Sequence, residues 1–110
     1  MKSLQSVFGE IDASRDEIIR TAVELVGYPA VAPINGGTGE GAKAGYIVSK
    51  LAGFASIERI EFPDRTDPSV MRPNIIARKK GKGKGTLWIV SHMDVVPTGD
   101  PELWDTPPFK

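Results

Sequence analysis

The run Leu87 to Pro97, LWIVSHMDVVP, decides how this chain is read. Its first residues are unbroken apolar, and together with Thr86 they predict a strand over Thr86 to Val90. Because Leu87 to Val90 is apolar on both faces, that strand is expected at the centre of a sheet, with helices covering it on each side. Side chains two residues apart on an extended chain leave the same face, so His92 and Asp94 should point together beyond the strand end. A metal ligand and the carboxylate that orients its ring are often placed in this way. Alone, a His-X-Asp triplet is equally what a polar strand end looks like, so its surroundings must decide.

Composition narrows the field. The chain has 110 residues, 40% hydrophobic and 25% charged, which is an ordinary globular mixture at the size of one small domain. Fourteen basic residues balance 14 acidic ones, so no global field draws it to nucleic acid or to an anionic membrane. No stretch approaches the roughly 18 apolar residues of a membrane span, and MKSLQSVFGEID lacks the apolar centre of a signal peptide, so a cytoplasmic protein is expected. There is no cysteine, which excludes disulfides, thiolate metal ligands and a cysteine nucleophile. A metal would have to be held by carboxylates and by His92, the single histidine. The sequence stops in a proline-rich loop, Pro107-Pro108-Phe109-Lys110, and reads as a fragment.

Upstream, Ser14 to Glu17 has the form of a capping box and predicts a helix that carries Ile18, Ala22, Leu25 and Val26 on one face and stops at Gly27. Two prolines and several glycines make residues 28–41 a loop. A second helix follows, with Ala44, Ile47, Val48 and Leu51 at helical spacing and Gly53 at its end. Ile57 to Phe62 predicts a strand, 64–73 a polar loop, and Asn74 to Arg78 another strand. Residues 79–85, KKGKGKG, then read as a solvated hairpin turn between Arg78 and Thr86. With no aromatic residue interleaved among its lysines, that turn has no means of stacking on bases. Trp88 is expected in the core and Trp104 in a packing role. Helices followed by strands make this an α/β chain, and no internal repeat is visible.

A competing motif lies in the glycine loop. Gly37 to Ala42, GTGEGA, satisfies the loose dinucleotide pattern G-x-G-x-x-G/A, with Glu58 or Glu61 about 20 residues on. That reading, a small dinucleotide-binding module, requires Val31 to Asn35 to be a central strand. Pro29 and Pro33 argue for a loop instead.

The longer string SHMDVVPTGDPELWDTPPF supplies the context. It resembles the metal-binding segment of the zinc-dependent family that includes aminoacylase, acetylornithine deacetylase, succinyl-diaminopimelate desuccinylase and glutamate carboxypeptidase. The matching positions here are Ser91, His92, Asp94, Val96, Pro97, Gly99, Asp100, Trp104, Pro108 and Phe109. PAVAPINGGTGEGAKAGYIVSKLAGF and RPNIIA extend the resemblance, which covers the chain from about Ser14 onward. It implies that residues 1–110 are the N-terminal portion of a three-layer αβα catalytic domain. It further implies a parent hydrolase of amide bonds in N-acyl amino acids or small peptides, using two zinc or cobalt ions, with His92 as a metal ligand and Asp94 as the catalytic-site carboxylate holding its ring. The remaining ligands and the general base would lie beyond Lys110, as would a smaller domain through which the parent forms a homodimer. By this reading the 110-residue chain is inactive alone, with no nucleic acid or membrane among its partners.

Overall fold

Antiparallel pairing of Ser56–Pro63 (β1) with Met71–Arg78 (β2) makes the one sheet of the computed structural model, which describes residues 3–110. The register runs from Ser56 opposite Arg78 to Pro63 opposite Met71. The polar loop expected to reach residue 73 therefore ends earlier, and Met71 to Pro73 belong to the ladder. Pro73 is tolerated there because each strand of a two-stranded ribbon is an edge. The turn between the strands is closed by Asp64, whose amide donates to Val70 O at 2.8 Å, while Val70 N donates to Asp67 O at 2.9 Å.

Three helices precede the ribbon: Leu4–Ala13 (α1), Arg15–Val26 (α2) and Gly41–Lys50 (α3). α2 and α3 lie where the apolar spacing predicts them, but the start of α2 is not built as expected. Ser14 directly follows α1, and its amide and hydroxyl both donate back to Glu10 O, at 3.1 and 2.9 Å. Its backbone is not extended, and its side chain makes no cap bond to α2, so the capping box does not form. The preceding helix has claimed the serine. At the other end of the pair, Ser3 caps α1 by accepting from Ser6 N at 3.2 Å.

α2 and α3 are joined by side chains. Tyr46 donates its hydroxyl to Glu24, Lys50 pairs with the same carboxylate at 3.2 Å, and the Tyr28 and Tyr46 rings lie 5.1 Å apart. The Tyr46 hydrogen bond, then the Lys50 contact, hold the Glu24 carboxyl below its usual range, and Glu24 in turn raises Lys50. α3 packs on β2. Among the described residues the buried apolar side chains are Ala30 and Ala44, so the interior is small and much of it is polar.

The expected central strand is not there. Residues 86–90 form no ladder, and Leu87, Trp88, Ile89 and Val90 are 85%, 68%, 86% and 88% exposed. Trp88 is thus not a core residue in this chain. The physical reason is the lack of neighbours: a strand apolar on both faces needs partners at its edges and layers above and below. Residues 79–85 consequently join β2 to an unpaired segment and are not a hairpin turn. The chain is α/β, with helices and a two-stranded antiparallel sheet. No helix among the described residues is long and apolar enough to cross a membrane.

Candidate metal-ligand site

Although no strand carries them, His92 and Asp94 meet as the sequence spacing predicts. His92 Nδ1 lies 3.1 Å from Asp94 Oδ1 and 2.9 Å from the Asp94 backbone oxygen. A backbone carbonyl and a carboxylate oxygen can only accept, so Nδ1 must be the protonated nitrogen. In the neutral ring Nε2 then carries a free lone pair, the form in which imidazole binds a metal ion. The side chains are 85% and 50% exposed, so the lone pair is accessible.

The ligand set is nevertheless incomplete. Among the described residues no three histidine, cysteine, aspartate or glutamate side chains converge to hold a metal ion. Asp100 is engaged as a cap, accepting from Glu102 N at 3.0 Å. A catalytic zinc-type site takes three protein ligands and keeps a position open. His92 fits such a centre as one ligand.

What positions the pair is a backbone tie to the glycine loop. Val95 pairs in parallel with Val31, and Val95 N donates to Ala30 O at 3.1 Å. Beyond it, Trp104 Nε1 donates to Thr98 O at 3.0 Å and staples the proline-rich segment. Pro97, Thr98 and Phe109 face Pro29, Val31 and Gly36 to Thr38 across an open cleft of about 340 Å³.

The glycine loop itself is built for close approach. Residues 33–35 form a single 3₁₀ turn, Gly39 N donates to Val31 O at 2.9 Å, and a Cβ on Gly37 would stand 2.0 Å from that same oxygen. Gly39 has φ +75, a left-handed conformation that glycine adopts at no steric cost. Val31 to Asn35 is therefore a loop, and the strand that a dinucleotide site requires before its glycines is missing. The cap position of α3 is Glu40, which makes no side-chain cap bond because its carboxylate points elsewhere.

That carboxylate belongs to a cluster not foreseen from the sequence. The Arg72 fork reaches both oxygens of Glu40, with Nε donating to Oε2 at 2.6 Å and Nη2 to Oε1, and its Nη1 donates to Asp64 Oδ2 at 2.6 Å. The Glu40 and Asp64 side chains are 6% and 8% exposed. Asp64 Oδ1 also accepts from Thr66 Oγ1, Thr66 N and Asp67 N, at 2.7, 2.8 and 3.1 Å. The Thr66 bonds first, then Arg72, hold the Asp64 carboxyl far below the usual carboxylate range, and Glu40 first, then Asp64, raises Arg72. The partners are 32 and 8 positions from Arg72 in sequence, beyond the reach of any local pattern.

Known proteins give these features a context. The chain is similar to an uncharacterised metallohydrolase of Methanococcus maripaludis, 37% identical over 101 residues that cover 86% of this chain and 24% of that protein. It is similar to another of Methanocaldococcus jannaschii, 34% identical over 101 residues, 86% and 25% of the two chains. A succinyl-diaminopimelate desuccinylase of Paracidovorax citrulli is 36% identical over 94 residues, 80% of this chain and 22% of that protein. The chain thus spans about a quarter of the length of these curated relatives. No protein-family model matches the chain. No solved structure matches it. The relatives support a metallohydrolase family at modest identity.

Proposed function

We propose that this chain is the N-terminal portion of a three-layer metal-dependent amide hydrolase, in which His92 ligates one of two zinc or cobalt ions. The observation that carries the reading is the His92 ring, whose Nδ1 is held between two acceptors of Asp94 and whose Nε2 is left free to bind. A divalent cation of this class supplies Lewis acidity toward water and toward the amide carbonyl. The chain's own contribution is to present Nε2 in one tautomer: Asp94 holds the proton on Nδ1 and fixes the ring plane.

The substrate class that best fits is an N-acyl amino acid or small peptide, supported by the similarity to a desuccinylase. The parent works in the cytoplasm as a homodimer formed through a further domain. The exposed apolar run Leu87 to Val90 and the open faces of α1 and α2 are covered by the remainder of that parent, whose relatives are about four times as long.

The test uses the intact protein that carries this segment. His92→Ala should lose bound metal and nearly all hydrolysis of N-succinyl or N-acetyl amino acids, because a ligand is gone. Asp94→Asn should cost on the order of 10- to 100-fold in metal affinity or activity, the usual range for a group that orients a ligand. Elemental analysis and turnover are the readouts, and full metal content with full turnover in His92→Ala would sink the reading. The 110-residue chain alone should hydrolyse none of these substrates and bind no zinc tightly in a calorimeter.

A further inference from the structure

We infer that Arg72 is a positioning residue for the His92–Asp94 pair and acts on it through the glycine loop, an inference that rests on the reading of His92 as a metal ligand. Asp64 forms the base of the arrangement. It is pinned in its turn by Thr66 and Asp67, so the guanidinium that it holds has a fixed origin on β2. The other side of the same fork grips Glu40 with two donors, which sets both the position and the direction of that carboxylate.

From Glu40 the path to the site is short. Gly39, its neighbour, donates its amide to Val31 O at 2.9 Å, and Ala30 O accepts from Val95 N at 3.1 Å. Val95 directly follows Asp94, and the Val31–Val95 bridge is the β-pairing that holds the otherwise unpaired segment. A Cβ on Gly39 would approach Val70 at 3.1 Å and Arg72 at 3.7 Å, so the loop is seated against the arginine as well as bonded to it. Without the guanidinium, Glu40 and Asp64 become two facing carboxylates with no cation between them, and the loop must move away from β2. The backbone that carries Val95 moves with it, and the geometry that keeps the proton on His92 Nδ1 is lost. Lysine cannot substitute, because a single ammonium lacks the fork that spans both carboxylates.

The experiment uses the intact protein, labelled with ¹⁵N on histidine, with the His92 signals identified from a His92→Gln variant. In the metal-free wild type the Nδ1–H tautomer of His92 should dominate. Arg72→Lys should lower the ratio of Nδ1–H to Nε2–H and weaken zinc binding by about 10-fold, the low end of the range for groups that orient a ligand. Glu40→Gln, which changes charge without changing size, should act in the same direction if Arg72→Lys proves unstable. Arg59→Lys serves as the control, since Arg59 pairs with Glu61 on β1 at 2.6 Å and touches none of this path. It should move neither readout.

An unchanged tautomer ratio in folded Arg72→Lys and Glu40→Gln overturns the inference. So does loss of the fold in both variants, which assigns the arginine a purely structural role. A wild type that binds no zinc, but whose tautomer ratio still responds to Arg72→Lys, rejects the metal reading and keeps the positioning role. Zinc binding with an unresponsive ratio does the reverse.

Discussion

Residues 15–78 and residues 79–110 are held by different means. The first region is cross-linked: a ladder from β1 to β2, a hydroxyl and an ammonium on Glu24, and a guanidinium spanning Glu40 and Asp64. The second carries the motif with the chemistry, yet its apolar run lies open, and it is fastened by the Val31–Val95 bridge and by single hydrogen bonds such as Trp104 to Thr98. The segment richest in functional signal supplies little of its own support. Its geometry is borrowed from the glycine loop, through the Val31–Val95 bridge and the Val95–Ala30 hydrogen bond.

That contrast can be broken most severely at Gly37. A methyl group there would stand 2.0 Å from the Val31 carbonyl oxygen, and backbone cannot swing aside as a flexible side chain can. Gly37→Ala should therefore open the loop, unseat the Val31–Val95 bridge and release His92 from its present place. Overpacking typically costs about 1–3 kcal/mol and more where backbone must shift, so a large fall in melting temperature is expected. Gly45→Ala, on α3 with open space around it, should cause none. Equal melting temperatures for the two variants would show that the loop is not the scaffold described here.

A smaller and pH-dependent effect is expected at Asp64. Its folded carboxyl titrates below the value it has in an unfolded chain, so the stability it contributes is present above the unfolded value near 3.8 and disappears as pH falls through the depressed folded one. Asp64→Asn should be clearly less stable than wild type near neutrality, with the gap closing as the pH is taken below about 4, where the wild-type advantage is progressively lost. Denaturant titrations of both proteins at pH 7, 4 and 2 give the comparison. A gap that stays constant across the series would mean that the charge of Asp64 plays no part in holding Arg72.

The sequence conveyed these two regions unequally. α2, α3 and the ribbon follow from apolar spacing and turn residues, because those signals lie within each element and its adjoining turn. α1 was not read from the sequence, although Leu4, Val7, Phe8 and Ile11 stand at helical spacing, and missing it is why Ser14 was taken for a cap. Residues 86–90 failed for the opposite reason. Their pattern describes a strand whose partners are distant, and apolar content alone does not form a ladder. His92 and Asp94 were found because they stand two positions apart within one motif, whereas the tie through Val95 that seats them on the glycine loop was not legible. The Arg72 cluster was invisible because no periodicity links positions 40, 64 and 72.

The smallest effect predicted is none at all, and it bears on the first region. If the glycine loop is a scaffold, adding NAD, NADP or ATP should leave the melting temperature unchanged. A phosphate cradle needs free amides at a helix start that follows a buried parallel strand. Here the residues before the glycines form a 3₁₀ turn, Gly39 N is already bonded to Val31, and the position ahead of α3 is filled by the Glu40 carboxylate on Arg72. An anion placed there would meet a fixed negative charge. A dissociation constant below about 100 μM would imply at least 5 kcal/mol of binding free energy, too much for incidental contact with a surface loop. Such a value, abolished by Gly39→Val, would reverse the comparison and make the first region the site and the second its appendage.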